Sequence, residues 1–245
     1  MSLNILMQNA KKKAPKKIKI NKSKKESWSV TICESGENHT GMEIIGEKAE
    51  AGFSIQELKE AEAKFQQAGA STEYFDLKTL GLGSDQERFD RAVEAGVLIV
   101  RNGVQILGGK KYEFRHEMKN IVCDKKYFDT RRKKVLNKNA RHNVCFAYKN
   151  QKPDIANKKG TIINIYSLEQ LKTVIGNLHL YLGDKARNLI GELNHYYDVR
   201  KCGIGFHGDT ERRIVICVRL GESFPLHYFW YENSKRVVKE LYCHN

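Results

Sequence analysis

The 245-residue chain lacks any apolar run near the roughly 20 residues that a membrane span requires. Its basic N-terminus is not followed by the apolar core of a signal peptide. Six cysteines, at positions 33, 123, 145, 202, 217 and 243, form no CxxC pair, and several sit in apolar runs where a reduced, buried thiol is expected. These absences argue against a membrane protein, a secreted disulfide framework and a structural zinc site. The expectation is a soluble intracellular protein, cytoplasmic or nuclear. Acids are missing from one long stretch: residues 11 to 25 hold nine lysines and no Asp or Glu, which is most of the net charge of +14. That segment has too little apolar surface to offset chain entropy, so residues 1–27 are expected to form a disordered basic arm. Lysine clusters bind nucleic acid by releasing counterions; a nuclear-targeting signal and a solubilising tail fit the same composition.

The length suits one domain with additions, or two small ones. From Trp28 to Glu47 a weak alternation predicts two short strands and a turn. Ser54 and Glu57 form a capping box for a helix to about Ala68, with Ile55, Leu58, Ala61 and Phe65 on one face. A second capping box, Ser84 with Glu87, predicts a helix that ends at Gly96 and turns Phe89, Ala92 and Val93 inward. Val97 to Val100 reads as a buried strand, and Tyr112 to Asp129 fits no single element. Further on, a strand over Thr161–Ile165 precedes a helix capped by Ser167 and Gln170 and closed by Gly183. A second helical stretch is expected from Lys185 to Leu193, and strands over Ile214–Leu220, Leu226–Glu232 and Arg236–Tyr242.

Two stretches carry chemistry. Lys125 to Arg141 holds eight basic residues against the single acid Asp129, with Tyr127 and Phe128 interleaved. Cations that neutralise phosphate and aromatic faces that receive bases make such a mixture suited to nucleic acid; a solvated basic loop is the ordinary alternative. The second stretch is Cys202 to Glu211, CGIGFHGDTE. If it is a strand, His207 and Asp209 at i and i+2 share a face and can reach one cation together. An imidazole and a carboxylate with open positions suit non-haem Fe(II), given a third ligand.

Asn194-His195-Tyr196-Tyr197, a short loop, and then Ile204-Gly205-Phe206-His207-Gly208-Asp209-Thr210-Glu211 resemble the AlkB-like group of Fe(II)/2-oxoglutarate-dependent dioxygenases. Members of that group read as a strand with Asn-x-Tyr or a variant, a turn, then I-G-x-H-x-D-x-E. The likeness covers roughly residues 90 to 245 and is specific only around the HxD. It implies an α+β chain with a double-stranded β-helix, jelly-roll-like core in residues 131–245 and an N-terminal α/β extension in residues 28–130 packed on it. It also implies that His207 and Asp209 are metal ligands, that Tyr197 hydrogen-bonds 2-oxoglutarate, and that Arg141, His142 and Glu211 touch a nucleic-acid substrate whose base is hydroxylated or dealkylated. Asn194-His195 departs from the family's asparagine position.

In the family a distal His ligand and a 2-oxoglutarate-binding Arg lie on strands after a His/Asn-Gly-Asp turn. Cys243-His244-Asn245 resembles the beginning of that turn. The expectation is therefore a partial domain, whose missing strands come from a partner polypeptide if the site is to be complete. His227 falls too early for the distal ligand and suits a core or substrate-facing histidine. A catalytically incomplete nucleic-acid-binding protein on the same scaffold is the alternative.

Overall fold

The computed structural model describes residues 25–223, 225–232, 235–236 and 241–243; most of the predicted basic arm and His244 lie outside them. In chain order the elements are β1 (Ser27–Cys33), β2 (Ser35–Glu37), β3 (Ile44–Gly46), α1 (Ile55–Gln67), β4 (Thr72–Asp76), α2 (Leu77–Leu82), α3 (Gln86–Arg91), β5 (Gly96–Val100), α4 (Gly103–Ile106) and α5 (Lys111–Lys119). There follow β6 (Lys126–Asp129), β7 (Lys134–Asn137), β8 (His142–Ala147), β9 (Ile162–Asn164), α6 (Glu169–Leu182), β10 (Ile190–Tyr196) and β11 (Ile216–Gly221). The short strands β12 (Leu226–Tyr228), β13 (Tyr231–Glu232), β14 (Lys235–Arg236) and β15 (Leu241–Cys243) end the described chain. The class is α+β, as expected. Among the described residues the strands form one five-stranded mixed sheet, ordered β11-β1-β10-β8-β9, and five two-stranded sheets, with no closed barrel.

The central sheet has two chemically different faces because side chains alternate along each strand. In β1, Trp28, Val30 and Ile32 point one way and Ser27, Ser29, Thr31 and Cys33 the other. The antiparallel register carries that division across the sheet, with Val30 opposite Leu193 on β10 and Val218 on β11, and Thr31 opposite Glu192 and Cys217. On β8, Val144 and Phe146 join the apolar face through Leu193 and Gly191. Helices α1, α5 and α6 cover that face: Ala61, Phe65, Phe114, Met118, Leu171, Val174 and Leu178 form one buried cluster with it. Because β1 lies between β10 and β11, residues assigned from sequence to an N-terminal extension and to the C-terminal domain share one sheet.

Local chemistry sets the helix ends. In the α1 capping box Ser54 Oγ accepts from Glu57 N at 3.1 Å, and Glu57 Oε2 accepts from Ser54 N at 2.7 Å. The start of α6 is capped from a distance, not by Ser167: the Glu117 carboxylate on α5 accepts from the Gln170 and Leu171 amides at 3.1 and 2.9 Å. A carboxylate there meets both the free amides and the positive end of the helix. Gly183 closes α6 at φ 75°, as expected of a residue without a Cβ penalty.

Three element predictions are corrected. The helix expected to end at Gly96 starts from Asp85, whose side chain accepts from Arg88 N, and stops at Arg91; Val93, expected to face inward, is 76% exposed. Lys185–Leu193 is not an α-helix: only a single 3-10 turn, Asp184–Ala186, opens it. Its second half enters β10, because Ile190-Gly191-Glu192-Leu193-Asn194 alternates in burial partners with period two and pairs with β1 and β8. The segment around His207 is not a strand but part of a loop between β10 and β11.

Leu193 has no exposed surface at the centre of the sheet's apolar face. Leu193→Ala is expected to lower unfolding free energy by about 2–5 kcal/mol. Val93→Ala should leave it within about 0.5 kcal/mol. Urea titrations of the two variants check the sidedness of both elements.

Candidate functional site

Loss of the strand removes the original reason for placing His207 and Asp209 side by side, yet the loop brings them together. His207 Nε2 lies 3.6 Å from Asp209 Oδ1. The other ring nitrogen, Nδ1, is 2.7 Å from the Gly205 carbonyl. A carbonyl only accepts, so Nδ1 carries a proton toward Gly205 and Nε2 is the ring nitrogen that faces the carboxylate. A backbone acceptor on the far nitrogen is also how metal-bound histidines are oriented. The loop is open: a Cβ built at Gly203, Gly205 or Gly208 would meet nothing within 4 Å.

Asp209 is tied to the sheet through Arg212. Its Oδ2 lies 3.7 Å from Arg212 Nε, while Arg212 Nη2 lies 3.2 Å from Glu192 Oε2. Glu211 Oε1 accepts from Arg212 Nε at 2.8 Å. The Arg212 side chain is 7% exposed. Burial works against its charge, but the surrounding acids outweigh that cost and hold its pKa above the ordinary value.

Glu192 belongs to the polar face of the sheet, where a chain of hydrogen bonds continues inward. Its Oε1 accepts from Asn143 Nδ2 at 3.0 Å and from Asn194 Nδ2 at 3.1 Å. Asn143 Oδ1 accepts from Lys138 Nζ, and Lys138 also donates to Asn38 Oδ1 at 2.6 Å and to Asn38 O at 3.1 Å. Asn38 Nδ2 donates to Asp124 Oδ2 at 2.9 Å. Lys138 is thus buried, although sequence placed it with seven other cations on a basic surface. Burial pulls its pKa from 10.5 down to about 8.

The remaining members of the basic stretch form the β6–β7 hairpin. Asp129 Oδ1 accepts from the Arg131 and Arg132 amides at 3.0 and 2.8 Å, which folds the turn back on its only acid. Lys133 takes φ 49°. Arg131, Arg132, Lys133 and Lys134 are all exposed. Tyr127 is half-buried, stacked on His39 with ring centroids 3.7 Å apart.

The six residues singled out from sequence are divided by the sheet. His207, Asp209 and Glu211 meet Arg212, and Arg141 Nε donates to Asn194 Oδ1 at 2.5 Å on the same polar side. His142 and Tyr197 follow the other parity: their rings stack at 4.6 Å, the His195 ring lies 6.3 Å from His142, and His195 stacks on Trp28 at 5.1 Å. The Tyr197 hydroxyl donates to the Asn139 carbonyl. The tyrosine on the polar side is its neighbour Tyr196, opposite Ser27 in the register. Glu192 escaped the sequence reading because its half of the strand was taken for a helix; the signal available was the alternation of Glu192, Asn194 and Tyr196 with Gly191, Leu193 and His195.

His207 and Asp209 offer one edge of a divalent cation's coordination shell: an imidazole nitrogen and a carboxylate oxygen facing each other at 3.6 Å. His227 approaches the same loop, with its ring 6.3 Å from that of Phe206. Among the described residues no group of three His, Cys, Asp or Glu side chains gathers around one point.

No family model matches the sequence, and no solved structure matches it. Over 221 residues the chain is 38% identical to "Uncharacterized protein R156" of Acanthamoeba polyphaga mimivirus, spanning 89% of this chain and 83% of that protein. The chain belongs to the R156 family. Membership fixes kinship over nearly the whole fold and leaves the chemistry to the residues themselves. No helix among the described residues is long and apolar enough to cross a membrane.

The buried Lys138 predicts a pH dependence. Its folded pKa lies below its unfolded value, so between pH 8 and 10.5 the unfolded chain holds the proton more tightly and stability due to this group rises with pH. The thiols of Cys33 and Cys123, pushed up to about 12 by burial, drift the opposite way but are common to wild type and variant. The stability of wild type relative to Lys138→Met is expected to rise across that window by on the order of 3 kcal/mol, measured by urea unfolding at successive pH values.

Proposed function

We propose that the protein is an Fe(II)- and 2-oxoglutarate-dependent dioxygenase of the AlkB-like type, acting on an alkylated nucleic-acid base. The observation that carries this reading is the oriented His207–Asp209 pair, with Nδ1 on the Gly205 carbonyl and Nε2 facing Asp209 Oδ1 at 3.6 Å. When bound, the metal and its cosubstrate supply the oxidation: dioxygen and 2-oxoglutarate give a hydroxylated C–H bond, succinate and carbon dioxide. An N-alkyl group hydroxylated in this way leaves the base as an aldehyde. In this reading His207 and Asp209 hold Fe(II), and Arg219, opposite Ser29 on the polar face, meets an acid group of 2-oxoglutarate.

Tyr196 stands on that face as a hydrogen-bonding partner, a role that sequence gave to Tyr197. Arg141 and Glu211 remain the proposed substrate contacts, with Glu211 acting through Arg212; His142, on the other parity of the sheet, is not among them. The jelly-roll core belongs to the same proposal. The polar face would be its inner wall, closed by a second sheet from strands outside those described or from a partner polypeptide. An intracellular site of action, cytoplasmic or nuclear, is part of it as well, supported by the free, buried thiols of Cys33, Cys123, Cys145 and Cys202.

Anaerobic titration of the protein with Fe(II) and 2-oxoglutarate should raise a visible charge-transfer band, and His207→Ala should abolish it. A wild type without the band, or a band that survives the substitution, would exclude the proposal for this chain.

A second reading is favoured by the exposed tip of the β6–β7 hairpin: a nucleic-acid-binding protein whose affinity needs no iron. It predicts binding that weakens steeply with salt and is indifferent to chelators. Each phosphate contact adds about 0.9 to the logarithmic salt slope on duplex DNA, so replacing Arg131, Arg132 and Lys133 together by Ala should lower the slope by roughly 2–3. Fluorescence-anisotropy titrations at several salt concentrations, with and without EDTA, test this.

A further inference from the structure

The β9 edge of the central sheet is covered by the chain's own excursion between β8 and β9. Gln151 and Ile162 exchange backbone hydrogen bonds at 2.9 and 3.0 Å, and the excursion closes in a 3-10 turn, Ile155–Asn157. That turn packs against β6 and β7, and Lys158 Nζ lies 5.8 Å from the centre of the Phe128 ring. Two basic turns thus lie side by side. Each sets a lysine in the left-handed region, Lys133 at φ 49° and Lys158 at φ 62°, where glycine or asparagine is at ease. A lysine kept at such a position, at a conformational cost, points to a use for its charge.

Lys152, Lys158 and Lys159 are exposed and form no ion pair among the described residues. The acids beside them are engaged locally: Asp154 Oδ2 accepts from Asn157 Nδ2 at 2.8 Å, and Glu43 Oε2 accepts from Gln151 Nε2 at 2.7 Å. At the base of the excursion the rings of Tyr148 and Tyr166 meet, with centroids 5.5 Å apart. Tyr148 is fixed by its hydroxyl, which donates to the Leu189 carbonyl at 3.1 Å, whereas Tyr166 is 67% exposed.

We infer that this excursion and the β6–β7 hairpin form one binding surface for a single-stranded nucleic acid: the cations track its phosphates, and Tyr166 takes a base on its exposed ring. The inference rests on the nucleic-acid reading of the hairpin and extends it to a second segment and to one form of strand. A single strand supplies both negative charge at regular intervals and free base faces. A duplex supplies the charge but keeps its bases stacked on one another, and an anionic bilayer offers no flat rings.

The test is fluorescence anisotropy of a labelled oligothymidylate, single-stranded and in duplex, over a salt series. It compares the full chain with Tyr166→Ala, Tyr166→Phe, Lys158→Gly and the Arg131, Arg132 and Lys133 triple variant. Wild type should prefer the single strand. Tyr166→Ala should weaken it about 5- to 150-fold, the worth of one stacked base, at unchanged salt slope, and Tyr166→Phe should bind as wild type does. Lys158→Gly should lower the slope by about 0.7, one phosphate contact on a single strand, with a urea midpoint close to wild type. If the triple variant weakens binding while Tyr166→Ala or Lys158→Gly matches wild type, the inference is overturned and the hairpin reading stands; a preference for the duplex does the same. Wild type that binds neither form, or binding that no variant changes, overturns both. Uptake by phosphatidylserine vesicles without oligonucleotide binding also overturns both and assigns the cations to a membrane surface.

Discussion

Polar groups taken out of water must find partners, and the central sheet meets this constraint on one entire face. Glu192, Asn143, Asn194, Lys138 and Arg212 are all buried. Leaving any one of them unmatched would cost more than a typical hydrogen bond returns. The network is closed by residues from distant parts of the chain: Asn38 after β2, Asp124 before the hairpin, Lys138 after it, and Arg212 beyond β10. The apolar face sets the fold's stability, whereas the polar face decides which loops are held against the sheet and where. The HxD loop and the basic hairpin are both held in this way.

A buried ion pair is weak evidence for stability, since desolvation of both charges offsets most of their attraction. The Arg212–Glu192 pair is better understood as a device for register. It sits between the strand that carries the polar network and the loop that carries His207 and Asp209, and it shares its guanidinium with Asp209 and Glu211.

How much of this was legible in the sequence depended on whether the signal was local. The Ser54–Glu57 box, Gly183 at the end of α6 and the apolar face of α1 are set by neighbours a few residues apart, and each is where the residues indicated. The start of α6 was not, because its cap comes from Glu117 more than fifty residues upstream. Lys185–Leu193 misled because Leu189, Ile190 and Leu193 also satisfy a helical spacing; pairing with β1 and β8 overrode it. That error hid Glu192. The HxD pair was found for its chemistry, but its proximity comes from a loop rather than from strand alternation.

The position of β1 has a consequence for how the molecule is made. Ser27 pairs with Tyr196 on one side and Gly221 on the other, so the strand at the heart of the sheet waits for partners encoded far downstream. At a synthesis rate of about 5–20 residues per second, β1 leaves the ribosome roughly ten to forty seconds before β11. Until then its Trp28-Val30-Ile32 stripe can pack against α1 but cannot be zipped into a sheet. Such distant pairing makes for slow folding, and it leaves the early apolar strand in need of shelter, whether from its own helices or from chaperones, until β10 and β11 have emerged.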